Sequence, residues 1–192
     1  LSDAKVAILD DRNNIIETKV TGANGVVSYT VDCGKVYNIQ ASKDGYEPGT
    51  FPVAKTTGAA QEIAANLQPI ETIVREDQVV LNEIFFEFNK SNITKEGAFE
   101  LDKLVQVMNK FPNMVVMVKA HTDNRGSDKY NMNLSDRRAR STVQYILSKG
   151  IAKDRISGKG YGESEPKVSC GDDCTEEQHA QNRRSEFLIV KK

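Results

Sequence analysis

The hydrophobic periodicity of this chain changes near residue 70, and that change limits it to a two-part architecture. Up to residue 69, apolar and β-branched residues alternate in short runs, the spacing of half-buried strands. Val6 and Ile8 alternate with Lys5 and Ala7; Val27, Tyr29 and Val31 share one face of a second run; Tyr37, Ile39 and Ala41 share one face of a third. DDRNN (10–14), GANG (22–25), DCGK (32–35) and KDGYEPG (43–49) separate the runs with residues that tolerate tight turns. Residues 1–69 therefore read as an all-β sandwich of six or seven short strands.

From Thr72 onward, strand and helix patterns mix. VVLNEIFFEF (79–88) reads as a strand. KEGAFELDKLVQVMNKF (95–111) places Ala98, Leu101, Leu104, Val105 and Met108 at helical spacing and meets Pro112, which disfavours helix in the residue before it. MVVMVKA (114–120) is a strand apolar enough to be central. A long helix is expected over 127–149, closed by Gly150 at C′. A third strand over 155–160, a short helix over 176–182 and a strand over 185–190 complete an α+β sandwich. The predicted division is 1–69, a polar linker at 70–76, and 77–192.

Charge removes some functions. The 26 basic and 27 acidic residues leave a formal charge of −1, which argues against general electrostatic binding of nucleic acid or anionic membranes. No apolar run reaches the ~18–20 residues that cross a bilayer as a helix. Two histidines leave little material for a zinc site, and no cofactor is expected. The chain opens on Leu1 without a signal-like segment, so a missing N-terminal part is expected to carry the signal and anchor.

The chemistry concentrates in AHTDNRGSDKYNMNLSDRRARSTVQYIL (120–147). Val116 and Val118 commit the strand to the core, so His121, Thr122 and Asp123 emerge at its C-terminal end, where α/β layers often meet ligands. On the following helix Ala139, Val143, Ile146 and Leu147 form the expected buried stripe, with Asn131, Arg138 and Thr142 on its edge. An aspartate and a guanidinium fork facing one cleft suit a ligand carrying both an ammonium and a carboxylate. The same spacing fits an internal Asp123–Arg138 ion pair equally well.

These residues resemble the OmpA-like peptidoglycan-binding domains, which include OmpA C-terminal domains, peptidoglycan-associated lipoproteins and flagellar stator subunits. The resemblance covers residues 77–192 through FFEFNKSNIT (85–94), HTDNRGSDKYNMNLSDRRA (121–139), GYGESEP (160–166) and NRRSEFLI (182–189). It implies a non-enzymatic module in the periplasm that grips the diaminopimelate of the wall's stem peptide and ties the outer membrane to the wall. By the same resemblance, the ligand-binding pair maps onto Asp123 and Arg138, with further contacts from Thr122, Asn131, Leu134 and Phe86. The aspartate often found after that phenylalanine is here Glu87, which departs from the family pattern. Residues 1–69 resemble, more loosely, the carboxypeptidase regulatory-like or prealbumin-like β-sandwich through TGANGVVSYTV (21–31) and VYNIQASKDGY (36–46). That resemblance implies a spacer.

Other features weigh against an enzyme. His121 has no nucleophile motif beside it, GxSxG is absent, and a hydrogen-bonded strand-end histidine is the expected role. Adjacent acids at 172/173 and 176/177 read as a solvated face rather than the two carboxylates of a glycosidase. His179 reads as structural or exposed. Of Arg183 and Arg184, one is expected to pair with acids and the other to line the cleft. In an oxidising periplasm, Cys170 and Cys174 of CGDDC are expected to form a disulfide, with no metal. Cys33 reads as a buried hydrophobe or a free thiol. The rival functions are a protein-interaction scaffold with a vestigial cleft and a cell-wall hydrolase.

Overall fold

The computed structural model describes residues 1–84, 86 and 90–192, with Asp172 described in its backbone only. The chain divides into two compact units, Leu1–Thr72 and Ile73–Lys192.

The first unit is all-β. Four antiparallel strands, β1 (Lys5–Leu9), β2 (Ile15–Val20), β3 (Tyr37–Ser42) and β4 (Gly49–Val53), form one sheet in the order β2-β1-β3-β4. The inner strand β1 buries Val6, Ala7, Ile8 and Leu9, joined by Tyr37 and Ala41 of β3. The turn after β1 follows its Asp/Asn content. Asp10 Oδ1 accepts the Arg12 and Asn14 amides at 2.9 and 2.8 Å, and Asn13 takes φ +59°. Four paired strands replace the expected six or seven. Residues 26–31 keep their alternating exposure but pair with no strand. Tyr29 lies against the sheet and donates its hydroxyl to the Val6 carbonyl at 2.7 Å. The alternation there records side chains resting on a layer, not a backbone ladder.

Ile70–Ile73 form a 3-10 turn in which both isoleucines are buried. The Ile70 amide bonds to the Gly45 carbonyl within the first unit, and the Val80 amide bonds to the Ile73 carbonyl within the second.

The second unit packs helices on a mixed sheet. Its elements are β5 (Gln78–Val79), α1 (Lys95–Lys110), β6 (Val115–His121), α2 (Asp128–Ser148), β7 (Ile156–Gly162), α3 (Glu176–Asn182) and β8 (Ser185–Lys191). The sheet order is β5-β8-β6-β7, with β6 parallel to β7 and antiparallel to β8. The expected opening strand over 79–88 lies partly outside the described residues. Among the described residues, Gln78 and Val79 pair with β8, residues 80–84 form no strand, and Phe86 makes an isolated bridge to Ile93. Residues 85 and 87–89, Glu87 among them, lie outside the described residues.

Both long helices start on side-chain caps. Thr94 accepts the Gly97 amide and Ser127 the Tyr130 amide, while Gly150 follows α2 at φ +93°. On α2 the expected stripe shifts: Ala139 and Ile146 are buried, Val143 and Leu147 are half-buried, and Asn131, Ser135 and Thr142 lie inside. Close approach to β7 explains the shift. A Cβ at Gly160 would stand 2.2 Å from the Asp136 amide nitrogen, so only glycine admits the helix backbone there. Ser135 Oγ then accepts the Gly162 amide at 2.8 Å, and Asp136 accepts that of Gly160 at 3.0 Å. Cys170 and Cys174 are joined by a disulfide, whereas Cys33 is an exposed free thiol.

Candidate functional site

The C-terminal end of β6 is held from both sides: the His121 amide bonds to the Arg184 carbonyl and the Thr122 amide to that of Gly162, each at 2.9 Å. This fixes Asp123, 6% exposed, at the mouth of the strand. Its carboxylate is not paired with Arg138. Oδ2 accepts Arg125 Nε at 3.0 Å, Arg125 Nη2 at 2.7 Å and Arg183 Nη1 at 2.7 Å, while Oδ1 accepts the Arg125 amide at 3.2 Å. Glu176, at the start of α3, ties the same two arginines together at 2.9 and 2.8 Å. Burial raises the carboxyl pKa of Asp123, but the hydrogen bonds from Arg125 and Arg183 outweigh it and leave the group below its ordinary value.

Arg138 is different. Its guanidinium lies 5.0 Å from the Phe86 ring centroid, and Nε donates to the Lys90 carbonyl at 3.2 Å. Among the described residues it meets no carboxylate in an ion pair. Burial lowers its pKa, and the nearby Arg183 and Arg137 charges add to this against Tyr130 and Asp123. It lines a cavity of ≈ 250 Å³ shared with Glu83, Phe86, His121, Arg183 and Arg184. The internal Asp123–Arg138 pair that the spacing equally allowed is absent among the described residues. In its place, two other arginines satisfy the aspartate and leave Arg138 facing the cavity.

The remaining expected residues surround this pair. Asn131 is buried and donates to the Asp123 carbonyl at 3.2 Å and to Glu163. Leu134 is buried, and Thr122 is buried with its hydroxyl lacking a partner among the described residues. His121 differs from the hydrogen-bonded histidine expected. Neither ring nitrogen has a hydrogen-bond partner among the described residues; the ring stacks on Tyr161 and Nε2 stands 3.8 Å from Glu186. Burial, then the charge of Arg184, pushes its pKa down to about 4, so the imidazole is neutral near pH 7.

Arg125, Glu176 and His179 belong to the site although sequence reading assigned them elsewhere or passed over them. His179 is buried, 3.9 Å from Asp123 Oδ2, and Glu176 is no idle member of a solvated face. Both Arg183 and Arg184 line the cavity, and both are also paired, Arg184 with Glu186 at 2.7 Å. The available signal was the spacing of Glu176, His179 and Arg183, which share one face of a helix.

The site thus combines a strand-end aspartate held by two arginines with an Arg138 guanidinium that has no ion pair among the described residues. Residues 85–183, just over half of the chain, match the OmpA family, and the chain belongs to that family. Outer membrane protein A of Escherichia fergusonii is 47% identical over 87 residues, covering 44% of this chain and 36% of its own length. The peptidoglycan-associated lipoprotein of Buchnera aphidicola subsp. Baizongia pistaciae is 38% identical over 107 residues, covering 56% and 60%. This chain thus spans about a third of the first relative and three fifths of the second. The C-terminal domain of Helicobacter pylori MotB has the same fold, with a TM-score of 0.51 at 19% identity over 59% of this chain and 87% of that one.

Proposed function

We propose that this chain is a non-catalytic peptidoglycan-binding module of the periplasm, attached to the outer membrane, that anchors its membrane or complex to the wall through stem-peptide diaminopimelate. One observation carries the reading: Arg138, without an ion pair among the described residues, presents a half-buried guanidinium to a cavity also lined by Arg183, which bonds Asp123. The end of a diaminopimelate side chain bears an ammonium and a carboxylate on one carbon. Arg138 supplies two parallel donors for the carboxylate. Asp123 Oδ1 accepts only one backbone amide and keeps acceptor capacity for the ammonium. Thr122, Asn131, Leu134 and Phe86 support the pair or line its approach. The first unit serves as a spacer of prealbumin-like type. No bond is made or broken, so no cofactor is needed; envelope membership of relatives such as the peptidoglycan-associated lipoprotein supports the location.

Pull-down with purified wall sacculi tests this. The chain should sediment with sacculi and release no muropeptide, and the Arg138→Ala variant should stay in the supernatant. Released muropeptides would favour the hydrolase, and a chain that never sediments would favour the scaffold.

A further inference from the structure

The segment between β7 and α3 plays no part in that reading, yet its Gly171 and the Glu176 that follows it at the start of α3 bond to Asn124 and to the two arginines on Asp123. The Cys170–Cys174 disulfide closes a loop of sequence separation 4. Inside this loop, the Gly171 carbonyl accepts Asn124 Nδ2 at 2.7 Å, and Asn124 directly follows Asp123. Immediately after it, Thr175 caps α3 in a reciprocal box with Gln178. That cap sets the first helical residue, Glu176, against Arg125 and Arg183, the two arginines on Asp123.

The base of the segment is secured separately. Buried Asn182 accepts the Lys167 and Val168 amides at 2.8 and 2.9 Å and donates to the Val168 carbonyl at 2.9 Å. A ring this small constrains less of the unfolded chain than a long loop does, so the disulfide's contribution to global stability is at the low end for such bonds. Its effect is local, on the tip that carries Gly171 and Glu176.

We propose that the Cys170–Cys174 disulfide is a positioning element of the peptide site, holding Asn124 and Glu176 where they fix Asp123, so that reduction weakens peptide binding. This rests on the site assigned under the proposed function. Single exposed ion pairs contribute little. Here, however, Glu176 braces both guanidiniums, and without it the half-exposed Arg125 is held by Asp123 alone. A dithiol reductant carries out the step: each cystine sulfur gains one electron and one proton, and the reductant closes to its own disulfide.

The test titrates the full chain with an uncrosslinked diaminopimelate-type stem peptide, in a Cys33→Ser background that removes the exposed thiol. The oxidised chain should bind roughly tenfold more tightly than the dithiol-reduced chain or the Cys170→Ser/Cys174→Ser variant, a coupling of ordinary size for residues in contact. Far-UV circular dichroism should not change, and the melting temperature should fall by only a few degrees, leaving the chain fully folded at the titration temperature. The Asn124→Ala/Glu176→Ala variant, with its disulfide intact, should bind as weakly as the reduced chain and lose nothing more on reduction. Equal affinity of oxidised and reduced chains overturns the proposal, as does a redox effect that persists undiminished in the Asn124→Ala/Glu176→Ala variant. An oxidised chain that ignores the peptide removes the site reading and this proposal together.

Discussion

The two units treat polar groups in opposite ways. Among the described residues, the first unit buries one polar residue, Thr21, whose hydroxyl accepts the Ala4 amide and donates to the Leu1 carbonyl, each at 2.8 Å. The second buries Glu100, Lys103, His121, Thr122, Asp123, Asn131, Ser135, Thr142, His179 and Asn182. Apolar exposure runs the other way: Ile15, Ile16 and Val20 of the edge strand β2 all lie more than half exposed. Burying polar groups is costly unless they are partnered. A unit that accepts this cost at one strand end, and leaves the His121 nitrogens and the Thr122 hydroxyl without partners, has been shaped by something other than stability. The first unit shows no such concentration among the described residues, in keeping with the spacer role proposed for it.

The comparison is broken most severely by removing either member of the ligand pair. Asp123→Ala and Arg138→Ala should each cost ~2–5 kcal/mol of stem-peptide binding, because the remaining charge goes uncompensated in a partly desolvated cleft. Calorimetric titration reads this directly, and no single substitution in β2 should approach it.

The next effect is on stability. His121 is held neutral in the native state, with its pKa lowered to about 4, while the unfolded chain titrates near 6.5. The unfolded state therefore binds more protons across this window, and stability falls as pH drops from 6.5 to 4, by up to ~3 kcal/mol. Asp123, whose folded pKa is lowered, acts in the same sense at lower pH: its contribution is lost as pH falls through that value. Urea unfolding at pH 7 and pH 4.5 should show the loss in the wild type, and His121→Gln should flatten most of it.

A third, smaller effect probes packing. Gly160→Ala should destabilise the second unit by about 1–3 kcal/mol, since its Cβ would meet the α2 backbone. Thermal melting followed by near-UV circular dichroism would register it. At the bottom of the scale, Lys35→Ala removes a fully exposed pair with Asp32 and should leave the melting temperature unchanged.

Much of the second unit was legible because its signals are local. Thr94, Ser127, Pro112 and Gly150 mark helix ends by chemistry that acts within one turn, and both long helices lie within a residue of expectation. The run at 26–31 misled because alternation reports facing, not pairing. Of the opening strand VVLNEIFFEF, residues 85, 87 and 88 lie outside the described residues; among the others, 80–84 form no strand despite their strand propensity. At the site, spacing located Asp123 and Arg138 but not their partners. Arg183 and Glu176 reach the Asp123–Arg125 pair only because α3 returns to the strand end, and separations of 51 to 60 residues leave no mark in periodicity.

The most direct test of peptide recognition by Arg138 and Asp123 is a paired calorimetric titration of the full chain with uncrosslinked diaminopimelate-type and lysine-type stem peptides. The lysine side chain keeps the ammonium but lacks the terminal carboxylate, so Arg138 stays unpaired. The expected result is binding of the first peptide and affinity lower by at least ~2 kcal/mol, about 30-fold, for the second. Equal affinity for the two peptides would contradict the assignment.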